Sequence, residues 1–337
     1  MIAYSRAEMT TSVLICDDSS FAQKQMARAL PRDWDVAISF AADGAAGLEA
    51  LRAGKGDILF LDLNMPVMDG YQVLEAIRRE DINTLVIVVS GDVQPEARRR
   101  VLDMGALDFI KKPIDAEKIG EILDKFGVRG APGKPRGNLN IQVDALDRYQ
   151  EIANVAMGRA GDLLARLLSA FVKLPVPRVN MIEGSDLHMA LKAIEANETV
   201  SAVCQGFIGA GIAGEALLTF TESSFTDIAA LMRHDGEIDD CVQLELLMDI
   251  SSILIGACLK GIADQLDINF SQGHPVVLGR HIQIGELLER NASRWNRTLA
   301  IEIGYSIEHR NVNCDLMLLF SEDSLDALHD RASLLEQ

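Results

Sequence analysis

The stretch Phe60-Leu61-Asp62-Leu63-Asn64-Met65-Pro66-Val67-Met68-Asp69-Gly70 sets the reading of the N-terminal part of this chain. It starts inside an apolar run, residues 58–61, that reads as a buried strand, and it ends in the turn residues Asn64, Pro66, Asp69 and Gly70. Asp62 stands at the junction. In an open parallel α/β sheet the carboxyl ends of the strands form the ligand crevice, so an acid there is placed for a cation or a phosphoryl group; the bland alternative is a strand-end cap. Working outward, the apolar run 13–16 ends on Asp17 and Asp18, the run 85–89 ends on Ser90 and Gly91, and the run 107–110 leads into Lys111-Lys112-Pro113. One sheet edge therefore carries three acids, a hydroxyl and a lysine. Converging carboxylates repel unless a hard divalent cation sits among them, which points to Mg²⁺ rather than zinc.

These residues, in this order, resemble the response-regulator receiver domain over about residues 11–126. The resemblance rests on Asp17-Asp18, the Asp-Leu-Asn-Met-Pro-x-Met-Asp-Gly run at Asp62, Ser90, Phe109, and Lys112 before Pro113. It implies a doubly wound α/β domain with a five-stranded parallel sheet. It also implies that Asp62 accepts a phosphoryl group from a histidine kinase, and that Asp17, Asp18, Asp62 and the backbone carbonyl of Asn64 hold Mg²⁺. By the same resemblance Lys112 pairs with the phosphoryl oxygens, and Ser90 with Phe109 relays the phosphorylation state. Phosphoryl transfer asks for in-line positioning and charge neutralisation, and a metal with a lysine supplies both.

A length of 337 residues exceeds one receiver and predicts two or three domains. A hydrophobic content of 48% supports sizeable cores, while no secretory signal or apolar run of membrane-spanning length is evident, so a cytoplasmic protein without membrane insertion is expected. The five cysteines, Cys16, Cys204, Cys241, Cys258 and Cys314, are scattered without metal-ligand spacing, as free thiols would be. The six histidines show no ligand spacing either. The formal net charge of −18 argues against partners built of nucleic-acid phosphates. Residues 144–337 hold 14 Lys+Arg and 29 Asp+Glu, a difference of −15, so a DNA-binding output domain is not expected there.

After the βα alternation of residues 1–126, glycines 127, 130, 133 and 137 with Pro132 and Pro135 mark residues 127–143 as a flexible linker. Treated as a random coil, it would span roughly 23 Å, leaving the receiver tethered but free to reorient. Helical periodicity resumes over about 143–171, where Asp147, Glu151 and Asn154 fall at i, i+4 and i+7 and share one stripe. Polar residues at that spacing are usually just a solvated face. An internal repeat gives them more meaning. Residues 214–225 match 314–325 at a shift of 100, and Glu245, Asp249 and Ser252 repeat the 147, 151, 154 spacing at a shift of 98, as Pro275 repeats Pro177. Residues 144–337 therefore read as two copies, about 144–236 and 237–337, of one helix-plus-sheet unit related by a pseudo-twofold axis.

The pattern of acid, three residues, Glu, two residues, Asn, and Pro after twenty-two more resembles the CheC, CheX and FliY family of receiver phosphatases. Asp147, Glu151, Asn154 and Pro177 match it, whereas the second copy departs with Asp249 for the Glu and Ser252 for the Asn. The resemblance implies a duplicated α/β phosphatase domain in which Glu151 pairs with a receiver lysine and Asn154 orients the attacking water. The second site, Glu245, Asp249, Ser252 and Pro275, is expected to be degenerate. The substrate is either the chain's own receiver or a separate phosphorylated one. The rival class is a non-enzymatic, phosphorylation-dependent binding module. The apolar helices would serve a homodimer as readily as a core. Gly209-Ala-Gly211-Ile-Ala-Gly214 matches GxGxxG but leads into a strand-like run, which favours a turn over a nucleotide loop.

Overall fold

A computed structural model describes residues 10–128, 143–183, 199–234, 236–283 and 297–336. The linker expected over 127–143 lies outside the described residues except at its two ends. The chain divides into two compact units, Met1–Ser90 with Glu96–Asp144 and Gly91–Pro95 with Ala145–Gln337, each described by itself.

The first unit alternates strands and helices: β1 (Thr11–Cys16), α1 (Ser20–Ala29), β2 (Val36–Ala41), α2 (Gly44–Arg52), β3 (Ile58–Leu61), α3 (Gly70–Glu80), β4 (Leu85–Ser90), α4 (Pro95–Asp103), β5 (Asp108–Lys111) and α5 (Ala116–Lys125). The strands form one parallel sheet in the order β2-β1-β3-β4-β5, as expected of a doubly wound fold. Because side chains alternate along a strand, the continuous apolar runs furnish two cores at once. Leu14, Cys16, Leu59, Leu61, Val86 and Val88 face one side, and Val13, Ile15, Ile58, Phe60, Ile87, Val89 and Ile110 face the other. Short polar side chains start the helices: Ser19, Asp43 and Asp115 accept from backbone N–H groups, and Asp69 forms a reciprocal capping box with Gln72. Trp34, just before β2, is fully buried as a core residue.

The second unit runs α6 (Ala145–Leu168), β6 (Val172–Lys173), β7 (Arg178–Glu183), β8 (Thr199–Gly209), β9 (Ile212–Thr221), α7 (Ser224–Leu231), α8 (Asp240–Leu266), β10 (Ser271–Gln272), β11 (Val276–Gln283), β12 (Arg297–Ile307), β13 (Asn313–Ser321) and α9 (Leu325–Ser333). The second half of that order repeats the first. The repeat extends to pairing: β9 and β13 lie side by side at the centre, flanked by β8 and β12, with β10 and β11 outside β8 and β6 and β7 outside β12. All of these pairs are antiparallel. The unit is built of two like halves, as expected, and its sheet is antiparallel, unlike the parallel sheet of the first unit. Short hairpin connections, such as the Ala210-Gly211 turn between β8 and β9, bring successive strands together antiparallel, where a parallel sheet would need crossovers. Both turn residues have positive φ, 51° and 81°, as a two-residue hairpin requires, and the GxGxxG match is this turn.

Helices α6 and α8 pack against the sheet and against each other, antiparallel. Gln265 Nε2 donates to the Ile152 carbonyl at 3.0 Å, and Arg159 pairs with Asp264 at 3.0 Å. Gly261 allows this approach, since a β-carbon there would lie 2.8 Å from Ala156 Cα. Helix α6 stops short of the expected 171 because Ser169 adopts the left-handed conformation, φ 51°. Among the described residues only α8 is long and apolar enough to cross a membrane, and 61% of its most apolar stretch is buried in this core.

Two substitutions test these packings by chemical denaturation. Phe60→Ala should cost about 3–5 kcal/mol by opening a cavity beneath the first sheet. Gly261→Ala should cost about 1–3 kcal/mol by overpacking the α6–α8 contact, although alanine is the better helix former.

Candidate functional site

In the first unit, parallel pairing of Cys16 with Leu61 brings the residues that follow them, Asp17 and Asp62, to one edge. Asp62 N–H donates to the Cys16 carbonyl at 2.9 Å and so carries the β1–β3 pairing one residue past the strands. Pairing of Ser90 with Lys111 brings Lys112 to the same edge, its N–H donating to the Ser90 carbonyl at 2.9 Å. The Lys112 ammonium lies 2.8 Å from Asp17 Oδ2 and 3.4 Å from Asp62 Oδ2, and all three side chains are at most 7% exposed. The Lys112–Pro113 peptide is cis. Ser90 and Phe109 are buried on the adjacent strands, and Asn64 is half-buried two residues beyond Asp62.

One carboxylate oxygen from each of Asp17, Asp18 and Asp62 lies within 4.8 Å of the others. Burial raises the Asp62 carboxyl above its ordinary range, the negative charge of Asp17 adds to this, and Lys112 opposes it. A cation is what relieves buried like charges, and an all-oxygen donor set suits a hard divalent one.

The supporting contacts were not evident from the sequence. Gln23, buried on α1, donates from Nε2 to the carbonyls of Asp17 at 2.7 Å and Ala41 at 3.1 Å, and so fixes the ends of β1 and β2. Its one sequence signal was a polar residue among Phe21, Ala22, Met26 and Ala27, the apolar face of α1. The carboxylate of Asp17 accepts from Ser19 N at 3.0 Å and that of Asp62 from Leu63 N at 2.7 Å. A β-carbon at Gly70 would collide with the Asp62 carbonyl oxygen, so only glycine lets α3 begin there. Burial pushes the neighbouring Cys16 thiol up and leaves it unreactive.

In the second unit, Asp147, Glu151 and Asn154 share a stripe of α6, with Glu151 and Asn154 at 5% and 4% exposure. Asn154 Oδ1 has no hydrogen-bond partner among the described residues. Pro177 and Pro275 each immediately precede a strand, β7 and β11, where a missing N–H is tolerated. On α8, Glu245, Asp249 and Ser252 are all exposed. The Ser252 hydroxyl donates to the Met248 carbonyl at 2.8 Å, so it serves its own helix.

Residues 13–124 match the family model described as response regulator receiver domain. The chemotaxis protein CheY of Treponema pallidum is 35% identical over 111 residues, which are 32% of this chain and 77% of that protein. A protein-glutamate methylesterase/protein-glutamine glutaminase of Koribacter versatilis is 37% identical over 145 residues, so this chain spans about two fifths of that relative, 40% of its length. Among solved structures, FliY of Thermotoga maritima covers 59% of this chain and 100% of its own, at 16% identity and a TM-score of 0.41.

Replacing Lys112 by Met strands two buried carboxylates and should lower the unfolding free energy by about 3 kcal/mol in urea titrations. Adding Asp62→Asn to that variant should recover much of the loss, because one of the two unpaired charges is then gone.

Proposed function

Because the chain belongs to the response-regulator receiver family through residues 13–124, we propose that it is a chemotaxis-like signalling protein whose Asp62 is phosphorylated and whose α6 stripe hydrolyses a receiver's aspartyl phosphate. In this reading a histidine kinase is the phosphodonor. An Asp62 carboxylate oxygen attacks phosphorus, the phosphorus–nitrogen bond of the donor breaks, and the donor imidazole leaves. Lys112, within ion-pair distance of Asp62, neutralises the charge gathering on the phosphoryl oxygens. Asp17, Asp18 and Asp62 would hold Mg²⁺, which when bound supplies charge neutralisation and orients the phosphoryl group. Ser90 and Phe109, buried beside this edge, would relay the change in charge.

The observation that carries the phosphatase half is the Asn154 amide, buried one helical turn from Glu151 with its carbonyl oxygen unpaired among the described residues. An amide offers a donor and an acceptor together, which suits it to orient a water in line with an acyl phosphate. Water oxygen attacks phosphorus, the bond to the aspartyl oxygen breaks, and the carboxylate and inorganic phosphate are released. Glu151 would pair with the lysine of the receiver being cleaved, giving a two-point clamp with Asn154. The second copy lacks both elements of this chemistry. Asp249 is a methylene shorter, and the Ser252 hydroxyl is engaged with Met248.

Full-length protein phosphorylated at Asp62 by a small phosphodonor should lose its phosphate at least about tenfold faster than the Asn154→Ala variant, equivalent to ~1.4 kcal/mol of barrier. A rate independent of protein concentration would place the reaction within one chain or a stable assembly. Equal decay in both proteins would remove the chain's own receiver as substrate. If a separate phosphorylated receiver is also left intact, the second unit is a binding module. Removal of divalent cations by a chelator should abolish Asp62 labelling in both proteins.

A further inference from the structure

The stripe read as hydrolytic is covered more deeply than its proposed work allows. Glu151 and Asn154 are both buried, so nothing the size of a receiver reaches them until what lies over them moves. Over Asn154 lies a short piece of the same chain. Gly91–Pro95, which follows Ser90, belongs by its contacts to the second unit. Gly91 crosses α6 at backbone distance: a β-carbon there would lie 3.0 Å from the Asn154 carbonyl oxygen and 3.4 Å from Val155 Cα. From the other side, a β-carbon on Gly158 would collide with the Gly91 carbonyl. The crossing therefore requires both glycines, as the crossing of α6 and α8 requires Gly261. Gly256 is the contrast. At a shift of 98 it stands where Gly158 does, yet a β-carbon there meets no heavy atom within 4 Å, so among the described residues nothing crosses α8 at that point.

Gln94 holds this segment down. It is fully buried, and its amide is used in both directions on one residue of β6: Nε2 donates to the Val172 carbonyl at 2.8 Å, and Oε1 accepts from the Val172 N–H at 3.0 Å. That is the pairing a neighbouring strand would make. Asp92 Oδ1 accepts from Gln94 N at 3.0 Å and from Gln94 Nε2 at 3.1 Å, which fixes the side chain in place. No step of the proposed chemistry uses Gln94. We propose that Gly91–Pro95 is an inhibitory strap across the α6 stripe, latched by Gln94, and that a phosphorylated receiver on a separate molecule reaches Asn154 only when the strap lifts. This regulation rests on the reading of Glu151 and Asn154 as the hydrolytic pair. Five residues held at one latch open locally without unfolding the unit. The apparent affinity for an incoming receiver is then scaled down by the open fraction, and cutting the latch restores it.

Access to the stripe is read by maleimide labelling of the thiol introduced by Asn154→Cys in the full-length chain, with Cys241→Ser removing the exposed native thiol. Adding Gln94→Ala should speed this labelling at least about tenfold. Gly158→Ala should act in the same direction, since its methyl group pushes on the Gly91 carbonyl while alanine favours the helix, and it carries the labelling test alone if Gln94→Ala does not fold. Hydrolysis between molecules is measured with the Asn154→Ala chain, labelled at Asp62 by a small phosphodonor, as substrate. The catalyst is the Asp62→Asn chain with or without Gln94→Ala, and the unlatched catalyst should show a kcat/KM at least about tenfold higher, through KM. Labelling that cutting the latch leaves unchanged overturns the strap, whatever the hydrolysis. So does a measurable rate between molecules that stays equal or falls with Gln94→Ala. Faster labelling without hydrolysis by either catalyst removes the phosphatase reading and leaves the strap standing over a binding face.

Discussion

Two carboxylates, Asp17 and Asp62, are buried within ion-pair reach of one ammonium, Lys112, and the geometry of the receiver edge follows from keeping these three charges together. Taking charges out of water is costly unless they are closely paired and hydrogen-bonded. The surrounding contacts meet that demand. Strand pairing puts the residues at the same level, Ser19 and Leu63 donate backbone N–H groups to the two carboxylates, and Gln23 ties down the Asp17 carbonyl. The balance remains incomplete, since two acids face one lysine and Asp18 adds a third carboxylate nearby. That residual negative charge makes the edge suited to a cation.

The second unit solves a different problem, which is to present a polar stripe on a helix that must also form a core. Helix α6 does so by facing Ile152, Ala156, Ala160 and Leu164 inward and carrying Glu151 and Asn154 on another side. Helix α8 repeats the solution with an almost wholly apolar inner face, including Leu247, Leu254, Ile255 and Leu259. Gly261 permits the two helices to cross at backbone contact, so the paired strands below them can take the same relation in both copies. Duplication therefore explains two stripes, and the divergence of Asp249 and Ser252 explains why the two need not act alike.

Much of this was legible from residue order. Continuous apolar runs define the central strands of the receiver, and Asp17, Asp62, Ser90 and Lys112 fall at the strand ends because polar residues interrupt those runs where the chain leaves the sheet. Capping side chains such as Ser19, Asp43 and Asp69 mark helix starts because the required hydrogen bonds are local. The repeat showed that the second half is built of two similar units. Its sheet type was not readable, since strands such as 212–221 and 313–321 are near-continuous apolar runs that fit parallel and antiparallel neighbours alike.

The sequence by itself determined which polar residues fall at the strand ends, the order of elements and the spacing of both stripes, because hydrophobic period, capping and turn propensity act over a few residues. Tertiary structure decided the rest. It set the 2.8 Å approach of Lys112 to Asp17, the role of Gln23, the antiparallel sheet, the contrast between Gly256 and Gly261, and the turning of Ser252 back onto its own helix. Except for the serine, each depends on groups that are distant along the chain and meet only when the sheets and helices pack. For Ser252 the spacing to the Met248 carbonyl was visible, but the choice of rotamer waits on what surrounds the helix.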